Sequence, residues 1–403
     1  MQQPAASVFR IRSFRLMWAG NMLVHFSSWL FLVGAAWLMT RLTPDPLMVA
    51  LVQSASALAS LLLSLPAGAI ADTVGRRGLM MALQLASCAA CMAVAGSQAA
   101  GMLSAWLLLL LTFATQASLA TYLPLANATM VDAVRPEQVE ESMALAGVAL
   151  NLARSAGPGL AGLGLLYVGA PVLYAVTAAA FALACVLLYQ LPRERHECNG
   201  APEALGTAMM AVFRYAREER AVQALLLRAA TISFSGSALW ALLPIVATGF
   251  DGASSSTFGT LVGSLGLGAV FGAFALVRLR RWAGPETVVN AASGVFALVT
   301  LAIALSASLS LAYVVLLVGG AAWMLSSTVL FAIGQSEVPE WVRARIYALL
   351  LVCFQAGFAA GAAVWGAAAR HAGVRYALVL AAVSVLGTFA AARWLPLRSA
   401  PPS

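Results

Sequence analysis

The sequence predicts an all-α membrane protein of twelve transmembrane helices, arranged as two parallel six-helix pseudo-repeats. Three observations carry this: the composition, the number and length of the apolar stretches, and a repeat at an offset near 204 residues. Apolar residues make up 62% of the chain and charged residues 9%, with a mean hydropathy of +0.90. A soluble domain carries about 25% charged and roughly half apolar residues. Water cannot cover a surface this apolar, whereas 403 residues leave room for twelve crossings of about 20 residues each.

The spans read in order as 15–39, 48–71, 79–97, 102–130, 141–168 and 171–191, then 221–248, 256–277, 287–306, 309–334, 344–368 and 373–393. The first follows Arg10, Arg12 and Arg15 and is longer than the apolar core of a signal peptide, so it is expected to be retained. The others have the length a helix needs to cross hydrocarbon, and such unbroken runs do not suit barrel strands. All 23 basic residues are Arg. With both termini in the cytoplasm, only Arg41, Arg370 and Arg375 fall outside, and Arg154 and Arg228 fall within spans. That asymmetry predicts a multi-pass protein of the bacterial cytoplasmic membrane with both ends inside.

The polar stretch 192–220 divides the chain into bundles over 1–191 and 221–403 and reads as a cytoplasmic linker. The repeat links the bundles. Gly68, Asp72, Arg76 and Arg77 have counterparts in Gly272, Leu276, Arg280 and Arg281, and Pro136-Glu137 in Pro339-Glu340. Parallel six-helix repeats about an axis along the membrane normal are a known transporter plan.

Other classes are disfavoured. The net charge of +8 is scattered between apolar runs and forms no nucleic-acid-binding face. Cys88 and Cys91 have CxxC spacing but sit mid-span without charged or His neighbours, as packing residues do. No nucleotide-binding sequence is present, and His25, His196 and His371 are too scattered to form a metal or catalytic cluster. No cofactor or metal is expected.

Polar residues within the spans nominate a cargo path. Arg154 lies about 20 Å into its helix, too deep for easy snorkelling, and must face protein or a watery cavity. Gly147, Asn151, Arg154 and Pro158 share a face, and Pro158 displaces the carbonyl of Arg154. Two readings stand for Arg154: cargo binding or gating, and helix packing. Asn21, His25 and Ser28 form a second stripe in span 1; Gln116 and Asn127 flank Pro124 in span 4. Gln355, Ser326 and Ser327 are candidates from the second half, with helix–helix hydrogen bonding as the plainer reading for each uncharged residue. Spans 3, 6, 9 and 12 are poorer in polar groups and are expected outside the cavity. Arg228 is shallow enough to snorkel to the interface, and Trp282, Trp341 and Trp394 read as interfacial anchors.

The stretch Gly68-Ala69-Ile70-Ala71-Asp72-Thr73-Val74-Gly75-Arg76-Arg77 resembles the loop signature between helices 2 and 3 of the major facilitator superfamily, departing at Thr73, where a basic residue is usual. Gly157-Pro158, followed by Gly159 and Gly162, resembles the helix-5 signature of exporters. Phe14 to Asn21, Leu65 to Gly68 and Asn151 to Pro158 are similar to the enterobactin-exporter-like branch, which also holds macrolide-type pumps. The resemblance implies the major facilitator fold, alternating access, proton coupling, and gating by Gly68, Asp72, Gly75, Arg76, Arg77, Gly157 and Pro158. Asp72 stands where its own helix dipole disfavours an anion, so it reads as a latch between halves or as a local turn ion pair. The expected activity is export of small amphipathic, anionic cargo by a monomer in contact with lipid, a siderophore among the candidates. A multidrug or macrolide-type pump, an importer of the same fold, and a receptor or assembly factor are the alternatives.

Overall fold

The computed structural model describes residues 8–73, 75–192, 214–250, 254–279, 282–336, 338 and 340–394. Within these it leaves out the side chains of 64–73, 155, 277, 336, 340–341, 344, 386 and 388–394. Among the described residues there are twelve long helices: α1 (Arg12–Leu42), α2 (Pro46–Thr73), α3 (Arg76–Ala99), α4 (Ala105–Asp132), α5 (Val139–Tyr167) and α6 (Gly169–Tyr189), then α7 (Arg220–Thr248), α8 (Ser255–Leu279), α9 (Pro285–Leu305), α10 (Leu309–Ser336), α11 (Glu340–Ala372) and α12 (Val374–Trp394). Each matches an expected span to within a few residues. Short 3-10 turns at Val8–Arg10 and Pro136–Gln138 precede α1 and α5. Among the described residues, ten helices are long and apolar enough to cross a membrane.

The helix ends follow local chemistry. Ser104 caps α4 by accepting a hydrogen bond from the Leu107 amide at 3.2 Å, as a hydroxyl at that position commonly does. The turns into α6 and α12 need a left-handed residue, supplied by Gly169 (φ 74°) and Gly373 (φ 92°). These two glycines stand 204 residues apart, the same offset seen in the sequence repeat.

Packing repeats at that offset. α1 packs on α5 and α6 as α7 packs on α11 and α12; α2 packs on α4 as α8 packs on α10; α3 packs on α6 as α9 packs on α12. Between the halves the main contacts are α2 with α11 and α5 with α8, which exchange under the same pseudo-symmetry. Apolar side chains such as Leu62, Leu110, Val176, Phe271, Phe274 and Leu298 stand exposed on the outer surface, which a protein solvated by lipid tails tolerates. Trp106, Tyr167, Tyr189, Trp282 and Tyr376 are exposed near helix ends, where amphipathic rings meet headgroups. The side chains of Trp341 and Trp394 lie outside the described residues.

Arg228 corrects the expectation of a snorkelling side chain. It is 1% exposed, and its guanidinium donates to Glu286 Oε1 at 2.6 Å and to Asn290 Oδ1 at 3.4 Å on α9. A carboxylate in the first turn of α9 also suits that helix's dipole. Glu286→Ala removes the charge partner and is expected to destabilise the C-terminal half by about 2 kcal/mol. That is below the 3–5 kcal/mol of a fully buried pair, because Glu286 keeps 30% exposure. Thermal unfolding in detergent checks this; an unchanged midpoint would show the pair to be energetically idle.

Candidate functional site

A cavity of about 330 Å³ lies between the halves. Its N-terminal wall comes from α1, α2, α4 and α5, and its C-terminal wall from α7, α10 and α11. Among the described residues, no lining residue comes from α3, α6, α9 or α12, as the polar poverty of those spans predicts, and α8 contributes none either.

The walls differ in chemistry. The N-terminal wall carries His25, Ser28, Gln53, Ser56, Ser60, Gln116 and Arg154. The C-terminal wall carries Trp240, Trp323, Phe331, Phe354 and Phe358, with Gln355 as the one polar side chain besides the indoles among its described residues. The contrast holds at equivalent positions of the repeat. Leu150 and Arg154 on α5 correspond, 204 residues on, to Phe354 and Phe358 on α11, and all four line the cavity. Among the described residues, no carboxylate lines it. His25, Gln53, Gln116, Arg154 and Gln355 make no hydrogen bond to another described residue, so their polar groups are available to a ligand or to water.

The aromatic side chains form a connected series. Trp29 and Trp240 have ring centroids 6.4 Å apart, as do Trp240 and Trp323. Trp323 meets Phe354 at 5.9 Å and Phe358 at 6.3 Å; Phe354 meets Phe331 at 5.4 Å, and Phe331 meets Tyr347 at 5.6 Å. These separations lie in the range of offset and edge-on aromatic contact. Arg154 stands within electrostatic range of Tyr347, at the last ring of the series.

Of the residues nominated from sequence, His25, Ser28, Gln116, Arg154 and Gln355 reach the cavity together. The others are placed elsewhere. Asn21 is buried in α1 away from the lining, with no partner for its Oδ1 among the described residues. Asn127 is half-buried and off the lining. Asn151 is exposed and donates to the Gly147 carbonyl at 2.9 Å, because the cavity-facing stripe of α5 runs through Leu150 and Arg154. Ser326 and Ser327 both donate to the Trp323 carbonyl, at 3.1 and 2.7 Å, inside α10. Gln53, Ser56 and Ser60 were missed, although their spacing of three and four marks one face of α2. The aromatic wall carries no such signal, because buried Phe and Trp also read as ordinary core.

The gating candidates divide in the same way. Gly68 and Asp72 belong to α2, but the Asp72 side chain and the surroundings of Gly68 lie outside the described residues, as does Val74. Gly75 is the N-cap of α3. Arg76 forms an ion pair with Asp132 at the end of α4. Arg77 donates to the Tyr189 carbonyl at the end of α6 and lies 5.1 Å over the Tyr189 ring. Both arginines are thus tied to neighbouring helices of their own half. Gly157 lets α1 approach α5, since a Cβ there would lie 2.8 Å from Trp29 Cβ, and Pro158 is buried inside α5.

At the end of the bundle where α1 runs into α2, the halves are sealed. Gly162 on α5 packs backbone to backbone against Gly259 on α8, and an added Cβ would come within 2.1 Å of the Gly259 Cα. Gly366, equivalent to Gly162 in the repeat, packs on Leu47 and Ala50 of α2. Ser54 Oγ donates to Ala359 O at 2.9 Å, Ser255 Oγ to Leu165 O at 3.1 Å, and Asp45 meets Arg370 at 3.5 Å. Trp37 stacks on Phe258 at 5.7 Å.

The arrangement has many counterparts among solved structures. A bacterial homologue of the human lysosomal transporter Spinster, in an inward-facing and unoccupied conformation, superposes with a TM-score of 0.75 at 14% identity, covering 99% of this chain and 100% of that one. The nucleoside transporter NupG gives 0.70 at 15% identity, covering 96% and 99%. The human organic anion transporter MFSD10 gives 0.64 at 20% identity, covering 96% and 100%. Identities this low establish a shared fold and no shared cargo. No curated protein matches the chain in sequence. Residues 4–401 match the family described as transmembrane secretion effector. The architecture is that of a transporter, and the chain is a multi-pass membrane protein of the major facilitator fold that belongs to the transmembrane secretion effector family.

Proposed function

We propose that the protein is a secondary active exporter of compact amphipathic organic molecules, working by alternating access in the bacterial cytoplasmic membrane. The observation that carries this reading is the cavity between the halves, walled on one side by polar groups that include the unpartnered His25, Gln53, Gln116 and Arg154, and on the other by aromatic rings. At about 330 Å³ it stands at the small end of organic-ligand pockets, which favours drug-sized cargo over a large siderophore or macrolide. The halves, 1–191 and 221–403, rock against each other about the cavity. With both termini cytoplasmic, as the Arg bias argues, the glycine seal faces outward and the cavity is reached from inside. His25 is the one imidazole among the described lining residues and serves as the candidate for proton coupling.

Inverted membrane vesicles carrying the protein test the reading. A pH gradient is expected to drive accumulation of fluorescent amphiphiles, without ATP, above control vesicles. Accumulation only in right-side-out vesicles would make the protein an importer. Absence of transport in either orientation would overturn the proposal. His25→Gln is expected to abolish the dependence on the gradient while retaining exchange of cargo; an unchanged dependence would exclude His25 as the proton site.

A further inference from the structure

We infer that the preferred cargo is a compact organic anion with a planar aromatic body, its acidic head held by Arg154 and its ring held by the aromatic wall of the C-terminal half. The inference rests on the transport reading above and names the cargo class of the same cavity.

Arg154 carries the argument for the head. It lines the cavity, makes no ion pair with any described residue, and no carboxylate among the described residues lines the cavity to neutralise it. Its depth, about 22 Å from the start of α5 at 1.5 Å per residue, makes an unneutralised cation costly. A ligand anion removes that cost, and the planar guanidinium fork matches two carboxylate oxygens.

The body follows from the opposite wall. Phe354 and Phe358 stand where the repeat would put Leu150 and Arg154, so one half offers a charge and the other a ring at corresponding sites. With Trp323 between them they present contiguous ring faces and edges. Rings alone would also attract a cation. Arg154 decides the sign, because a like charge in the same low-dielectric cavity is repelled by a factor of roughly ten or more.

A cargo held at both ends bridges the halves: its head engages α5 and its ring engages α10 and α11. Lacking either end, a molecule loses its strongest hold on one half and gives a weaker pull between them.

Four probes of similar size separate these contributions: 2-naphthoate, 2-naphthamide, 2-naphthylmethylammonium and decahydro-2-naphthoate. Binding is measured calorimetrically with the purified full chain in lipid nanodiscs. Naphthoate is expected to bind at least tenfold more tightly than the amide, and the ammonium probe to bind weakest. Arg154→Gln should erase the preference for acid over amide while leaving amide affinity within about twofold, which also shows the cavity intact. Arg154→Lys should keep part of the preference. Phe354→Leu should weaken naphthoate severalfold and spare the saturated acid. Equal affinity for acid and amide in the native protein, or tighter binding of the ammonium probe, would overturn the inference. So would equal losses of acid and amide in Arg154→Gln, or equal losses of both acids in Phe354→Leu. Vesicles that move cationic amphiphiles without any anion preference would defeat this assignment and leave the transport reading standing. Naphthoate binding with no transport of any amphiphile would defeat the transport reading instead.

Discussion

Gly162→Leu is expected to abolish transport, by at least 100-fold, while leaving a folded and membrane-inserted protein. A Cβ on Gly162 would lie 2.1 Å from the Gly259 Cα and 2.6 Å from its carbonyl carbon, and both of these are backbone atoms that no rotamer change can move aside. Close helix approach in lipid depends on such small residues. A leucine therefore holds α5 and α8 apart and removes the sealed state. The two helices belong to different halves, so each six-helix bundle keeps its own contacts and still folds. The measurement pairs vesicle transport with labelling of a cysteine placed at Phe258, which stacks on Trp37 in the seal. Lost transport with raised labelling is the expected result. Native turnover would show that the glycine contact is not required for the cycle.

Gly320→Leu is expected to remove the folded protein altogether. A Cβ on Gly320 would stand 1.9 Å from the Leu265 carbonyl oxygen, and one on Gly268 would stand 1.9 Å from Leu317 O. Here the touching helices, α8 and α10, belong to the same half, which moves as one unit in the proposed cycle. Ordinary overpacking costs about 1–3 kcal/mol. Splitting a backbone contact should cost more than about 4 kcal/mol, a loss few proteins survive. Size-exclusion chromatography and thermal unfolding in detergent check it, and a monodisperse variant with the native midpoint would refute it. The two glycine substitutions are similar in local clash and differ in consequence, because one contact opens during the proposed cycle and the other does not.

The helices and the repeat were legible in the sequence because both follow from hydrophobicity and spacing. Turn glycines at positions 169 and 373 show the offset as clearly as the Arg motif does. The cavity was legible only in part. Arg154 was found because a mid-span charge is conspicuous, and His25, Gln116 and Gln355 because they interrupt apolar runs. Ser326 and Ser327 interrupt an apolar run equally well, yet their hydroxyls are satisfied by a carbonyl of their own helix, an option always open to serine. Asn151 failed by rotation: one residue away from Leu150 along a helix is about 100°, enough to leave the cavity face. The burial of Arg228 was not legible, because depth along its own helix says nothing of Glu286, its partner on a different helix 58 residues away. Such a pairing requires tertiary structure to see.

The seal described at the end of the bundle sets how readily one state of the proposed cycle gives way to the next. Two hydrogen bonds from serine hydroxyls to backbone carbonyls and one partly exposed ion pair cross it, along with close apolar contact. In membranes, side-chain hydrogen bonds between helices average about 0.6 kcal/mol, and an exposed ion pair contributes about 0–1 kcal/mol. The polar part of the seal then holds only about 1–2 kcal/mol, with no deeply buried ion pair among the described residues to break. A gap of a few kcal/mol keeps a minor conformation populated at about 0.1–10%. A cargo that prefers one conformation about 100-fold shifts the balance by about 2.7 kcal/mol, comparable to that whole gap. The weakness of the seal is thus what lets a single small molecule determine which population dominates.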